Sequence, residues 1–127
     1  MQFLSEEWMH ERARLANSLA ASPGVNVRIQ HTVSEGPAGI VQYFDRVENG
    51  KLQSWGLGVD PEAEVTIVND WADELAVLRG EVDPMDLLMG GRVIVLGDQG
   101  KLLQVVPILQ SPDVQRIAVL LAAVTDV

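Results

Sequence analysis

Residues 65–109 read VTIVNDWADELAVLRGEVDPMDLLMGGRVIVLGDQGKLLQVVPIL, and their periodicity changes from strand to helix. Residues 65–68 are all β-branched and predict a strand. The Asp70 that follows can cap a helix, and Gly80 is typical of a helix end. One face of this helix is apolar and carries Trp71, Leu75 and Leu78. The sequence therefore predicts a strand that leads directly into a short amphipathic helix.

The rest of this segment predicts a helix, a strand and another helix. Asp83 is a second N-cap, with Pro84 at the favoured first helical position, and two glycines end that short helix. Residues 93–96 are all apolar, which predicts a strand covered on both faces. Asp98 begins a further helix, which we expect Pro107 to kink or end.

The remainder of the chain predicts a helix, an antiparallel meander and a C-terminal helix. Ser5 can cap a helix that we expect the Ser-Pro-Gly at 22–24 to stop. Strand patterns occur at residues 25–33, 40–48, 51–57 and 63–68. Asn49-Gly50 favours a type I′ turn between the second and third strands. Ser111 opens a last helix, whose residues 112–124 have an unusually wide apolar face.

The composition limits the kinds of partner. A chain of 127 residues is expected to form one domain, residues 1–127. Its formal charge is −9 and its nine basic residues are scattered, so we expect no nucleic acid and at most transient membrane contact. The absence of cysteine excludes disulfides and thiolate chemistry. The acidic N-terminus and the lack of a long apolar run lead us to expect a cytoplasmic protein.

The order of caps and glycines resembles the sterol carrier protein (non-specific lipid-transfer) family. The matching features are the strand at 65–68, the helix at 70–80, Asp83-Pro84, Gly91-Arg92-Val93 and Gly97-Asp98. The resemblance implies an α/β (α+β) fold, with a five-stranded, mostly antiparallel sheet covered by about five helices. It also implies an apolar tunnel for an acyl chain or a sterol-like molecule. Arg92 stands where relatives often have lysine, a trivial change on what we expect to be an exposed strand end.

On this resemblance, the apolar stripes become candidate lipid-binding walls. Burial of an alkyl chain contributes roughly 0.8 kcal/mol per methylene and demands little polar complementarity. The candidate lipid-binding residues are Trp71, Leu75, Leu78, Leu87, Leu88, Met89, Val93, Val95, Leu102, Leu103 and Val106. An aliphatic stripe at helical spacing more often fills a protein core than lines a binding site.

No group of side chains in the sequence predicts catalysis. Glu6 and His10 lie one helical turn apart, but without a third ligand we interpret them as a solvated helix surface. His31 lies on the apolar phase of its strand, where it could bind a ligand headgroup, although a satisfied core histidine is the favoured interpretation. Asp45 could be an inward acid near a headgroup, but a charge at the hairpin edge is favoured. We expect no catalytic residues, no metal and no cofactor.

The wide apolar face of the 112–124 helix must be buried, and two ways are open. It could close the tunnel mouth as a lid, which is the favoured interpretation, or it could form a homodimer. The main hypothesis is an intracellular lipid-binding or carrier protein that holds a fatty acyl chain or sterol-like ligand. The alternative is a non-catalytic interaction or dimerisation module of the same fold with a filled cavity, and an enzyme is disfavoured.

Overall fold

The computed structural model describes residues 1–126, which form five helices and five strands. In chain order these are α1 (Glu6–Ala16), β1 (Val27–Gly36), β2 (Gly39–Glu48), β3 (Lys51–Leu57), β4 (Val65–Asp70), α2 (Trp71–Leu78), α3 (Pro84–Met89), β5 (Ile94–Gly97), α4 (Gln99–Leu109) and α5 (Pro112–Ala123). The predicted fold class, a mostly antiparallel five-stranded sheet with about five helices, is confirmed.

The strands form one sheet in the order β3-β2-β1-β4-β5. β1 pairs antiparallel with β2, β2 with β3 and β4 with β5, whereas β1 and β4 are parallel. The hairpin between β2 and β3 turns at Asn49 and Gly50, which have φ angles of 50° and 75°. A type I′ turn requires positive φ at both central residues, so the predicted hairpin is confirmed.

The helix starts follow the predicted capping residues. The N-cap side chains each accept a hydrogen bond from a backbone N–H in the first turn, and they are Ser5, Asp70, Asp83, Asp98 and Ser111. These bonds satisfy amide groups that the helix itself leaves without partners. The cap pattern therefore fixes where each helix leaves the preceding loop or strand.

The predicted end of α1 is wrong, whereas for Pro107 only one of the two predicted effects is excluded. α1 ends at Ala16 rather than at residues 22–24. The following turn is held by the Ser18 hydroxyl, which donates to the Leu15 carbonyl at 2.8 Å and competes with further helical bonds. α4 runs through Pro107 to Leu109, so the proline does not end it. Pro107 has no N–H to donate to the carbonyl of Leu103, and its ring crowds that carbonyl, so a kink at this position stays a prediction.

The helices pack on one face of the sheet in two core clusters. The large core cluster joins α1, α5 and residues 3–4 to the sheet and contains Phe3, Leu4, Trp8, Met9, Val33, Tyr43, Ile117 and Leu121. The small core cluster lies under α4 and contains Val27, Ile29, Val65 and Val105. All the sheet residues in both clusters point to the same side, which we call the inner face.

The prediction that residues 93–96 are covered on both sides is wrong. β5 is an edge strand that pairs with β4 alone, and its outward side chains Ile94 and Leu96 are 52% and 55% exposed. Only Val95 points to the inner face, where it packs against the small core cluster. A strand can therefore be continuously apolar while one of its faces remains open to solvent.

Among residues 1–126, no single helix has the length and apolar composition needed to cross a membrane. Helices α4 and α5 meet those requirements only as a pair, with a bend of 77° between them.

Candidate functional site

An apolar groove lies between α3, β5 and the first turns of α4. It is lined by Leu88, Val95, Gln99, Leu102 and Leu103, has a volume of about 180 Å³ and is open to solvent. Pockets for drug-sized ligands usually measure about 300–1,000 Å³, and a cavity of about 150 Å³ holds benzene. In its present shape the groove therefore holds a short stretch of an alkyl chain.

The structure brings some of the candidate lipid-binding residues to this groove. Four of the groove-lining residues belong to the predicted set, namely Leu88, Val95, Leu102 and Leu103. Leu87 beside them is buried, Val93 and Val106 are half-buried, and Met89 is 84% exposed. The candidates on α3, β5 and α4 thus surround one region of the molecule.

The candidates on α2 lie elsewhere. Trp71, Leu75 and Leu78 pack against the large core cluster and do not line the groove. Trp71 meets the ring of Phe3 edge-on at 5.0 Å, and its ring fits against Gly36, where a Cβ atom would lie 2.9 Å from it. The partner Phe3 lies in the N-terminal segment, 68 positions away, and no local pattern predicts this contact.

The C-terminal helix is only half covered. Ile117 and Leu121 are buried in the large core cluster, whereas Val119, Leu120 and Val124 are exposed. Within the described residues of one chain, the apolar face is therefore buried only in part, and its burial against a second subunit stays a prediction. No α5 side chain lines the apolar groove, so α5 does not cover it as a lid.

A second groove, of about 220 Å³, lies between the α1–β1 loop and the corner joining α4 to α5. Its lining includes Ser22, Pro107, Ser111 and Asp113, and none of the candidate lipid-binding residues reaches it. Its wall is more polar than that of the apolar groove, with two serines and a carboxylate. We therefore place the candidate site at the first groove.

Asp45 lies inside the protein, not at the hairpin edge. It is 7% exposed and accepts bonds from Arg12 Nη1 at 3.1 Å, Arg12 Nη2 at 2.5 Å and His31 Nε2 at 3.1 Å. Burial alone would raise its pKa, but the Arg12 charge and the hydrogen bonds from His31 and Arg12 hold the pKa of Asp45 well below its usual value. The inward interpretation is thus the right one, and the edge interpretation is wrong.

Tyr43 connects this ion pair to a second acid. Its ring stacks on the His31 ring at 4.2 Å, and the Arg12 guanidinium lies 5.4 Å from its centre. The Tyr43 hydroxyl donates to Glu74 Oε1 at 2.9 Å, and Asn69 Nδ2 donates to the other oxygen of Glu74. Burial, together with the Glu74 charge, raises the pKa of Tyr43 well above its usual value. We call Arg12, His31, Tyr43, Asp45, Asn69 and Glu74 the polar cluster.

One nitrogen atom of the polar cluster is buried without a partner. Within residues 1–126, Arg12 Nε is the only buried side-chain nitrogen or oxygen that has no hydrogen bond. His31 bonds to Asp45 through Nε2 at 3.1 Å.

The polar cluster and the apolar groove share the inner face of the sheet. His31 on β1 is in register with Ile67 on β4, which is in register with Val95 on β5. Adjacent strands lie about 4.8 Å apart, so His31 is about 10 Å across the sheet from Val95. One row of side chains thus connects the groove floor to the polar cluster.

Sequence reasoning missed most of the polar cluster. Arg12 lies one turn after the buried Trp8 on α1, a spacing that places both on the sheet-facing side. Tyr43 and Asp45 share one phase of β2, which points inward. For Asn69 and Glu74 no spacing in the sequence indicated an inward position. Their side chains meet because α2 begins directly where β4 ends.

The remaining polar candidates are placed as follows. His10 is exposed and meets the Trp55 ring edge-on at 4.7 Å. Within residues 1–126, no three acidic or imidazole side chains come together as metal ligands would. Arg92 is exposed as expected, but it binds both oxygens of Asp73 at 2.8 and 3.0 Å. That position is therefore not trivial, because the arginine ties the start of β5 to α2.

Comparison with known proteins identifies the fold. No protein-family model and no curated protein sequence matches the chain. Among solved structures, sterol carrier protein 2 is similar over 95% of this chain and 98% of its own, with 19% identity and a TM-score of 0.72. The palmitated sterol carrier protein 2-like 2 of Aedes aegypti is similar over 85% of this chain and 96% of its own, with 20% identity and a TM-score of 0.64. A sec-alkyl sulfatase is similar over 85% of this chain but only 17% of its own, with 22% identity and a TM-score of 0.63. The resemblance read from the sequence is confirmed at the level of architecture, and the chain has the sterol carrier protein fold.

Proposed function

We propose that this protein binds a single-chain or sterol-like lipid without chemical change and carries it. The observation that supports this most directly is the apolar groove between α3, β5 and α4, lined almost entirely by aliphatic side chains. The fold adds support, because similar solved structures are named sterol carriers and one of them is named as palmitated. The similar part of a sec-alkyl sulfatase belongs to a protein named for an alkyl substrate.

The groove must widen to hold a complete chain, and its surroundings permit this. Leu103 and Met89 are 68% and 84% exposed, so both can move without opening the core. Methionine is unbranched and adapts readily to ligands of different shape. α3 has only six residues, of which Leu87 alone is buried, so little packing opposes its displacement.

The expected affinity follows from the length of alkyl chain that is buried. About ten methylenes contribute roughly 8 kcal/mol, which corresponds to a dissociation constant of about 1 µM. Ordering of the ligand and of the groove side chains costs free energy and lowers the affinity below this value. We therefore expect micromolar or weaker binding that varies little with the exact chain shape.

Substitution of Leu103 by aspartate tests the site. The side chain lines the groove yet is largely exposed, so Leu103→Asp should leave the fold intact. Placing a carboxylate against a bound alkyl chain should weaken binding about tenfold or more, because the charge loses solvation. The measurement is isothermal titration with a series of twelve-carbon ligands that carry alcohol, carboxylate and amine headgroups, beside mass spectrometry of lipid extracted from the purified protein.

Leu96→Asp is the matched control. Leu96 is similarly exposed but lies on the outer side of β5, away from the groove, so its substitution should leave all affinities unchanged. The proposal is wrong if no ligand of the series binds and no lipid co-purifies. It is also wrong if both variants weaken binding equally.

A further inference from the structure

We propose that two copies of this chain pair through β5 and form a two-fold symmetric dimer with one continuous sheet. The interaction surface is the free edge, by which we mean the backbone N–H and C=O groups of residues 93, 95 and 97 on the side of β5 away from β4. This inference does not depend on lipid binding, and it places the contact at the sheet edge rather than on α5.

One hydrogen bond determines which backbone groups of β5 face outward. The Asp98 N–H donates to the Glu64 carbonyl at 2.9 Å, so residue 98 bonds toward β4. Backbone groups alternate in direction along an antiparallel strand, and β5 keeps an unbroken register with β4. The groups of Val93, Val95 and Gly97 therefore point away from β4, toward the edge of the sheet.

The described chain satisfies little of this free edge. The Val93 N–H donates to the Leu87 carbonyl at 3.4 Å, and the Gln99 side chain donates to the Val95 carbonyl at 3.5 Å, the outer limit of a hydrogen bond. α4 runs from the end of β5 back over β4 and β1, so it does not extend past the edge. Within residues 1–126, the Val95 N–H, the Val93 carbonyl and both groups of Gly97 have no backbone partner.

β5 lacks the features that keep most sheet edges from pairing with another chain. Native edge strands carry lysine, proline or a bulge, or another element covers them. The opposite edge strand, β3, begins with Lys51, exposes the polar Gln53 and Ser54, and has a bulge in its pairing with β2. β5 reads Ile-Val-Leu-Gly and has no bulge. One edge of the sheet is thus protected against pairing, and the other is suited to it.

The side chains of β5 complement themselves in the antiparallel register that has Val95 on the two-fold axis. Ile94 then lies opposite the partner's Leu96, and Leu96 opposite the partner's Ile94. These two side chains are 52% and 55% exposed in the single chain, and in the dimer they cover each other. Val95 exchanges both backbone hydrogen bonds with the partner's Val95, and the Gly97 N–H donates to the carbonyl of the partner's Val93.

The same register places opposite charges at both ends of the contact. Arg92 precedes β5 and Asp98 follows it, and each lies opposite the other in the partner. Arg92 binds Asp73 through Nε and Nη2, which leaves Nη1, and Asp98 caps α4 through Oδ1, which leaves Oδ2. An axis at Ile94 or at Leu96 would instead set an apolar side chain against one of these charges. Charge complementarity therefore favours a second copy of this chain as the partner, in this register.

The expected dimer is closed and weak. A two-fold contact uses each β5 once, so the pairing stops at two copies. The contact is only one four-residue strand long, and each copy carries a formal charge of −9. We expect a dissociation constant of about 10–100 µM, which decreases when salt screens the repulsion between the copies.

Sedimentation velocity over concentrations from well below to well above this range tests the contact. Wild type should change from monomer to dimer as its concentration rises. Ile94→Lys puts a charge into the centre of the contact and should weaken dimerisation at least about tenfold. Val119→Lys is the matched control, because it makes the same change at an exposed apolar position of α5, and it should have no effect.

Asp98→Asn separates the charge from the fold. Asparagine caps a helix about as well as aspartate, so α4 should remain intact. Loss of the two ion pairs with Arg92 should weaken dimerisation several-fold. Unchanged dimerisation of this variant would overturn the register that has Val95 on the axis.

Amide hydrogen exchange of wild type locates the contact without a substitution. The Val95 and Gly97 amides should exchange rapidly in dilute protein and several-fold more slowly at high concentration. The Leu96 amide bonds toward β4 and should change much less. A monomer at every concentration would overturn the proposal. A dimer that Val119→Lys abolishes and Ile94→Lys leaves intact would also overturn it, and would place the contact on α5.

Discussion

At the scale of single residues, Asp45 contributes most clearly to stability. Its folded-state pKa is lowered, because the favourable effects of Arg12 and His31 exceed the cost of burial. A lowered pKa means that the stabilisation is complete above the unfolded-state value of about 3.9 and is lost as the pH falls toward the folded-state value. Asp45 therefore stabilises the fold at neutral pH and stops doing so in acid.

Asp45→Asn should destabilise the protein by about 3 kcal/mol at neutral pH, because Arg12 is left buried without its counter-charge. The difference in the free energy of unfolding between the variant and wild type should shrink below about pH 4, since the stabilisation by the wild-type carboxylate is then being lost. Urea unfolding at neutral pH and below about pH 4 measures this difference. Glu7→Gln, at an exposed position of α1, is the control and should change stability by less than about 0.5 kcal/mol. Equal stability of Asp45→Asn and wild type at neutral pH would show that the ion pair contributes nothing.

At the scale of the elements, Arg92 joins β5 to α2. Its planar guanidinium binds both oxygens of Asp73, and Asp70 lies 3.6 Å from one of its nitrogens. A lysine has a single ammonium and cannot make the paired bond. The hydrogen bonds to Asp73, and after them the charge of Asp73, raise the pKa of Arg92 above its usual value.

Arg92→Lys should therefore loosen β5, with a several-fold faster exchange of the amide hydrogens at 94–97. Native-state hydrogen exchange measures this local opening separately from global unfolding. Arg79→Lys is the matched control, because Arg79 faces Glu81 at 4.0 Å without a paired bond, and it should leave β5 unchanged. Unaltered exchange at 94–97 in Arg92→Lys would contradict the assigned contact.

The elements also show which features a sequence reveals. Asp70, Asp83 and Asp98 act on backbone amides two or three residues away, so their cap roles are visible locally. The packing of Trp71 against Phe3, and the hydrogen bond of Tyr43 to Glu74, depend on contacts between distant segments. The α3, β5 and α4 parts of the candidate site were therefore predictable, whereas the position of α2 and the polar cluster were not.

At the scale of the whole molecule, the imbalance of charge sets the response to salt. The chain has 18 acidic and 9 basic residues, so the folded state carries a net repulsion that screening relieves. Screening also weakens ion pairs, but exposed pairs such as Arg46–Glu48 and Arg116–Asp113 contribute little. The buried Arg12–Asp45 pair is screened much less than these.

Added sodium chloride should therefore raise the melting temperature at neutral pH. A gain of about 1 kcal/mol between low and moderate salt corresponds to about 4 °C for a domain of this size. Near pH 4, where carboxylates are about half protonated, the repulsion is largely gone and the same salt should have little effect or a slight destabilising one. Differential scanning calorimetry at the two pH values measures both. A salt response of the same sign and size at both would mean that the excess of acids does not govern the stability of this fold, and that the ion pairs do.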